Sequence, residues 1–231
     1  MTDIEHPDHN RPLRSFVIRA SRLTAAQQKA LDTLWEDYVV PFKNELLDLN
    51  EVFPNQNPIT VEIGFGMGDS LLEMAIAQPN ANFLGMEVHR PGVGKLLHGI
   101  EENGIKNLKI VSHDAVEVLE SGLAVESIDK LLIYFPDPWH KKRHNKRRLI
   151  QHEFVQLARS RLKIGAEIHL ATDWEHYAEH MMEVMSDAEG FKNSMGLQAI
   201  WKTPDRPETK FERRGIKLGH GVWDLLFKRL N

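Results

Sequence analysis

The chain has no cysteine among its 231 residues, which excludes a disulfide framework, a thiolate nucleophile and a cysteine-ligated zinc site. It also lacks a long uninterrupted apolar run, so no segment reads as a membrane span. Nor does it have an excess of positive charge: Lys and Arg total 29 against 33 Asp and Glu, a formal net charge of −4. A protein that coats nucleic acid with its whole surface is therefore excluded, and any affinity for phosphate must come from a local patch. Met1 to Asn10 carries Asp3, Glu5 and Asp8 and has neither a basic start nor an apolar core, so it does not read as a signal peptide. These features fit a cytoplasmic protein with no membrane partner. No internal repeat or low-complexity tract is visible.

The length suits one α/β domain with a terminal appendage. Residues 1–57 read as a partly mobile N-terminal extension: a polar leader, a short apolar piece at Phe16-Val17-Ile18, and a helix from Thr24 to Tyr38 with a 3.6-residue rhythm. Pro54, Asn55, Asn57 and Pro58 close it as a loop. Residues 58–231 then alternate strand-like and helical runs. Strands are expected at Ile59 to Ile63, Phe83 to Val88, Leu108 to Ser112, Ile128 to Phe135 and Glu167 to Ala171. The helical runs are Ser70 to Ala77, Gly94 to Asn103, Ala115 to Leu119, Leu149 to Leu162 and Trp174 to Ala188. That alternation implies a doubly wound, mostly parallel sheet that binds ligands at the carboxyl ends of its strands. Leu197 to Lys202 and Val222 to Lys228 read as a C-terminal antiparallel hairpin joined by a charged loop.

The first strand runs into Gly64-Phe65-Gly66-Met67-Gly68, a turn that lets backbone approach a ligand closely. Glu87 follows roughly 20 residues after the last glycine, where a carboxylate would take the ribose hydroxyls of an adenosine. NAD and S-adenosylmethionine share that ribose. Glu62, just before the glycines, and Asp114, after the third strand, favour the second, because a carboxylate near the turn repels a pyrophosphate and attracts a sulfonium or ammonium. Capping of the helix at Ala115 is the plainer reading of Asp114.

After the fourth strand come Phe135-Pro136-Asp137-Pro138-Trp139 and a basic run, Lys141, Lys142, Arg143, Lys146, Arg147 and Arg148. Methyltransferases acting on nitrogen often carry Asp, Asn or Ser followed by Pro and an aromatic at this place. Asp137 could accept hydrogen bonds from guanine N1–H and its amino group, a donor pair adenine lacks. The basic run could neutralise phosphates, with binding that weakens steeply in salt.

The chain closely resembles the bacterial tRNA (guanine-N7-)-methyltransferase family over nearly its whole length after the leader. The resemblance is carried by Glu62 to Gly68, Phe135 to Trp139, His144-Asn145-Lys146-Arg147-Arg148, Ala171-Thr172-Asp173-Trp174 and Thr209-Lys210-Phe211-Glu212. It implies a Rossmann-like class I methyltransferase fold that transfers a methyl group from S-adenosylmethionine to N7 of the variable-loop guanine of tRNA. It implies cofactor positions at Glu62, Glu87, Asp114 and Asp137, with the glycines Gly64, Gly66 and Gly68 and with Asp137 also catalytic. Substrate positions follow at Lys141, Asp173, Thr209, Lys210, Phe211 and Glu212, and RNA contacts at Arg143, His144, Asn145, Lys146, Arg147 and Arg148. Taken without the resemblance, Thr209 to Glu212 is an exposed charged loop and Asp173 a helix cap, with Thr172 and Glu175 at capping-box spacing.

Two other readings are open: an NAD-dependent oxidoreductase on the glycine turn and Glu87, and a noncatalytic RNA-binding protein on the same scaffold. His176-Tyr177-Ala178-Glu179-His180 spells a zinc-protease pattern, but its place in a crossover helix and the abundance of histidine, 12 in all, make a chance match the better reading, and no metal is expected. A monomer or homodimer is expected.

Overall fold

The computed structural model describes residues 16, 22–202, 204–217, 219 and 221–231; the leader, including most of the apolar piece at 16–18, lies outside the described residues. Seven strands form one sheet: β1 (Ile59–Ile63), β2 (Asn82–Met86), β3 (Leu108–Val111), β4 (Ile128–Tyr134), β5 (Leu162–Thr172), β6 (Phe191–Asn193) and β7 (Trp223–Arg229). Their order is β3-β2-β1-β4-β5-β7-β6, with β1 to β5 parallel and β7 antiparallel to both its neighbours. The chain winds outward from β1 to β3 and then returns to β4. That reversal opens a crevice at the carboxyl ends of β1 and β4.

Alternation along the strands builds a core on each face of the sheet. Leu131 and Ile133 of β4 face one cluster with Ile168, Leu170 and Tyr177. Leu132 and Tyr134 face the other, with Leu96, Leu97 and Ile100. The crossover helices are α3 (Asp69–Ala77), α4 (Arg90–Asn103), α5 (Ala115–Glu117) with a π turn at Val118–Gly122, α6 (His152–Arg161) and α7 (Glu175–Asp187); α1 (Ala25–Tyr38), α2 (Leu49–Val52) and α8 (Lys210–Lys217) complete the set. Thr24 and Gln27 close α1 with a reciprocal capping box. From there the N-terminal segment lies on the sheet. Ala30 and Leu31 are buried, and the Val40 amide donates to Ile110 of edge strand β3 at 2.8 Å.

The C-terminal hairpin is made by different residues from those the sequence pattern selects. Its first strand is Phe191–Asn193, not 197–202. Gln198 takes a left-handed φ of 51°, which an extended strand does not allow, and Leu197 is 93% exposed. The segment still touches the sheet, the Trp201 amide donating to the Asp224 carbonyl at 2.8 Å and the Ala199 carbonyl accepting from Asn193 Nδ2 at 2.9 Å. The connecting segment is not all loop either, since it contains α8. Among the described residues no helix is long and apolar enough to cross a membrane.

Candidate functional site

Because β1 to β5 are parallel, the residues that follow each of them come out on one edge of the sheet. Register fixes the level: Ile63 stands beside Met86 and Ile133, Tyr134 beside Ala171, and Ala171 beside Asp224 of the antiparallel β7. Glu62, Glu87, Asp114, Asp137 and Asp173 thus share one end of the sheet. Sequence spacing places all five there, and the topology brings them together.

The glycine turn begins directly after β1. Gly64, Gly66 and Gly68 all have positive φ, 71°, 59° and 78°, and Gly68 caps α3 from the left-handed region. The packing of α4 is equally demanding: a Cβ on Gly92 would lie 1.8 Å from the Gly66 carbonyl oxygen. Glu87 holds the turn from the next strand. One oxygen accepts the Gly66 amide at 2.8 Å, and the other accepts the amides of Val88 and His89 at 2.8 and 2.9 Å. Asp114 caps α5 by accepting the Val116 amide at 3.0 Å, so capping and a place at the crevice coexist.

Glu62 is the anomaly of the site. It is 3% exposed, and its Oε2 is buried without a hydrogen-bond partner. Burial, then the charge of Glu87, push its pKa from the ordinary 4.5 up to about 8, against the pull of Arg206. A buried carboxyl with a vacant acceptor atom beside a glycine turn fits a cationic ligand. It does not suit a pyrophosphate.

The Asp137 turn is strained on both sides. Phe135 and Trp139 have φ of 52° and 47°, while Pro136 and Pro138 fix the bonds between them. For bulky residues each such φ costs about 1–3 kcal/mol and is kept only where the surroundings impose it. Here the Phe135 amide donates to Ala171 at 2.8 Å, and Arg148 Nε donates to the Pro138 carbonyl at 2.9 Å. Asp137 itself is exposed.

The basic run is a 3-10 helix, Lys142–Arg147, and its members do different things. Lys141, Lys142, Arg143 and Lys146 are exposed. Arg147 stacks its guanidinium over Trp139, 4.0 Å from the ring centroid. Arg148 turns inward, 6% exposed, over the Tyr177 ring at 4.8 Å. Local desolvation, and then Arg143, Arg147 and Lys141, lower the pKa of the His144 ring. Asn145 lies within the turn, its carbonyl accepting from the Arg148 amide at 3.0 Å and Gln151 at 3.0 Å.

The remaining substrate candidates converge. The N-cap position of α7 is Trp174, with no side-chain cap bond of its own, and Thr172 accepts the Trp174 amide at 3.3 Å. Asp173 lies against α8, where a Cβ on Gly215 would lie 3.1 Å from its carboxylate. Thr209 and Glu212 form the capping box that starts α8, Thr209 Oγ1 accepting the Glu212 amide at 3.1 Å and Glu212 Oε2 accepting the Thr209 amide at 3.3 Å. Lys210 is exposed on the first turn; the Phe211 side chain lies outside the described residues. The pattern Thr-x-x-Glu was the available signal for this helix.

Sequence reading missed the polar network beneath the site. His169 Nε2 meets Asp224 at 2.7 Å, and its Nδ1 meets the Tyr134 hydroxyl at 3.0 Å. Burial lowers the pKa of His169 despite the opposing hydrogen bond to Asp224. An ionised Asp224 can only accept, so Nε2 carries the proton and Nδ1 accepts from Tyr134. Arg206 completes this network. A histidine and an aspartate within apolar strands were the visible signal, since buried polar residues are the informative ones.

His176 and His180 make no joint site: His176 pairs with Glu179 at 3.1 Å, and His180 bonds the Ile150 carbonyl at 2.8 Å.

A family model described as "Putative methyltransferase" matches residues 56–225. The chain is 57% identical over 220 residues to a tRNA (guanine-N(7)-)-methyltransferase of Pseudoalteromonas translucida, covering 95% of this chain and 91% of that one. It is 52% identical to the enzyme of that name from Pseudomonas aeruginosa, covering 98% and 94%. Among solved structures, the 16S rRNA methyltransferase KamB superposes with a TM-score of 0.59 at 15% identity, covering 81% of this chain and 95% of that chain. A 16S rRNA adenine-N(1) methyltransferase from Catenulisporales acidiphilia, solved with its cosubstrate SAM, gives 0.52 at 17% identity, covering 80% and 92%. At such identities the two structures speak for the fold alone.

Proposed function

Since this chain belongs to the tRNA (guanine-N(7)-)-methyltransferase family, we propose that the crevice at the carboxyl ends of β1 and β4 is where it methylates tRNA. The protein transfers a methyl group from S-adenosylmethionine to N7 of the guanine at position 46 of tRNA. The cofactor supplies a methyl group made electrophilic by the positive charge on sulfur.

The observation that carries the assignment of the cofactor side is the vacant, buried acceptor of Glu62 beside the glycine turn. Glu62 takes the cationic part, the backbone of Gly64 to Gly68 forms the floor, and Glu87 and Asp114 face the adenosine. Glu87 also keeps the turn in shape through its three amide contacts, so its loss removes two functions together.

Guanine N7 already has an in-plane lone pair, so no base is needed to remove a proton from it. The task of the chain is alignment and charge compensation. Asp137, exposed on a turn whose backbone is fixed at Phe135, Pro136, Pro138 and Trp139, accepts from guanine N1–H and the amino group. Its charge offsets the positive charge the purine acquires. Lys141, Arg143 and Lys146 present cations to the RNA backbone. Arg147 braces Trp139, and Arg148 holds Pro138, so the inner half of the basic run shapes the turn and the outer half meets phosphate. Asp173 and the first turn of α8, Thr209 to Glu212, close the substrate side. Work on tRNA is consistent with a cytoplasmic location.

An unmodified tRNA transcript incubated with the protein and labelled cofactor, then cleaved chemically at N7-methylguanine, tests the reading. Cleavage at the variable-loop guanine is expected. Label elsewhere, or tRNA retention without label, contradicts it.

A further inference from the structure

Arg206, in the segment between β6 and α8, has no part in the site as assembled so far. Its side chain is 1% exposed. Nε and Nη2 form a fork onto both oxygens of Asp224, at 2.7 and 2.8 Å. Nη1 donates to the Glu212 carboxylate and to the Pro207 carbonyl. The guanidinium lies 5.3 Å from the Tyr134 ring centroid and 5.7 Å from that of Phe135. Burial opposes its charge, yet the bonds from Asp224 and Glu212 outweigh burial and raise its pKa further. A buried guanidinium is tolerated only with its donors satisfied, and removing one partner strands the others.

The groups it joins come from separate parts of the chain. Asp224 is the second residue of β7, Glu212 sits in the first turn of α8, Tyr134 ends β4, and Phe135 follows it two residues before Asp137. Glu212 therefore has a double duty, since the oxygen that caps α8 is the one that meets Arg206. The charge of Arg206 is also felt at Glu62, on the cofactor side.

We propose that Arg206 is a positioning residue for the substrate side of the site, fastening the Thr209 to Glu212 turn of α8 to β7 and to the strained Phe135 that precedes Asp137. It touches neither reactant and acts through Glu212 and the rings. The planar fork is required: a lysine ammonium at this place can satisfy one carboxylate but not grip Asp224 by both oxygens and Glu212 together. The inference rests on the tRNA methyltransferase reading of the crevice.

Arg206→Lys and Glu212→Gln, made singly and together, test it by steady-state kinetics with tRNA varied and by calorimetry with S-adenosylhomocysteine. Arg206→Lys is expected to lower kcat/KM for tRNA by about tenfold or more while changing homocysteine affinity less than about threefold. The double variant is expected to be little worse than the poorer single one, because both weaken the Arg206–Glu212 pair that they share. Equal losses toward tRNA and cofactor, additive effects, or unchanged kinetics would each overturn the proposal. If Arg206→Lys does not fold, Asp224→Asn carries the test, since it weakens the grip on Arg206 and leaves the substrate-side turn of α8 unaltered in sequence: a raised KM for tRNA with unchanged homocysteine binding supports the proposal, and an unchanged KM overturns it. Failure of the underlying function would look different, as the unaltered protein would not methylate tRNA at all.

Discussion

Arg148 donates its Nε to the Pro138 carbonyl at 2.9 Å and so ties the basic run to the turn that presents Asp137. The run of cations is therefore not one uniform patch. Its inward member supports backbone geometry, and its exposed members face solvent.

This division has a measurable consequence. Replacing Lys141, Arg143 or Lys146 by Ala should weaken tRNA binding and reduce the salt slope by roughly 0.7 to 0.9 per lost phosphate contact. Arg148→Ala should leave the slope unchanged while lowering kcat and costing about 1 kcal/mol or more of stability, because a partly buried carbonyl loses its donor and the buried side chain its packing on Tyr177. Filter binding across a salt series, with thermal melts beside it, separates the two classes. Equal slopes for all four variants would contradict the division.

Glu62 gives a pH dependence whose sign follows from its raised pKa. Below its ordinary value of 4.5 both folded and unfolded chains are protonated there, so its contribution to stability is fully present and does not change with pH. Between 4.5 and about 8 the unfolded chain releases the proton while the folded chain keeps it, so ligand-free stability should fall as pH rises through that window. Glu62→Gln should remove that decline. The cationic cofactor favours the ionised form, so its binding at neutral pH should release a proton, read by calorimetry in buffers of different ionisation enthalpy. No proton release would contradict a buried neutral Glu62 as the cation acceptor.

Gly92→Ala places a methyl group against the Gly66 carbonyl, whose backbone has little room to retreat. A destabilisation of at least about 1–3 kcal/mol is expected, with a loss of cofactor affinity greater than that of tRNA affinity. Melting temperature and S-adenosylhomocysteine titration check it. Unchanged affinity would show that the glycine turn does not shape the cofactor floor.

The sheet and the carboxylates at its edge were legible in the sequence, because strand-end position follows from local alternation. Ile59 to Ile63 matched to the residue, and Glu87, Asp114 and Asp137 fell where parallel strands end. What was not legible depended on residues distant in the chain. The strand of the hairpin at 191–193 is set by pairing with β7, whereas the apolar run at 197–202 is broken by Gln198. The inward turn of Arg148 depends on Tyr177, and the network of Tyr134, His169, Arg206 and Asp224 on three strands and a loop. The capping box of α8 was local and readable, but its charged surroundings masked it.

The role of Asp137 is tested most directly by single-turnover methyl transfer to unmodified tRNA at saturating cofactor and tRNA, comparing the unaltered protein with Asp137→Ala. Asp137 is exposed, so its loss should leave the protein folded, with a cooperative melt lowered by no more than about 4 °C, while the rate falls by about 100-fold or more as the charge aimed at the purine disappears. A rate within about twofold of the unaltered protein, with the label still on guanine N7, would contradict the account.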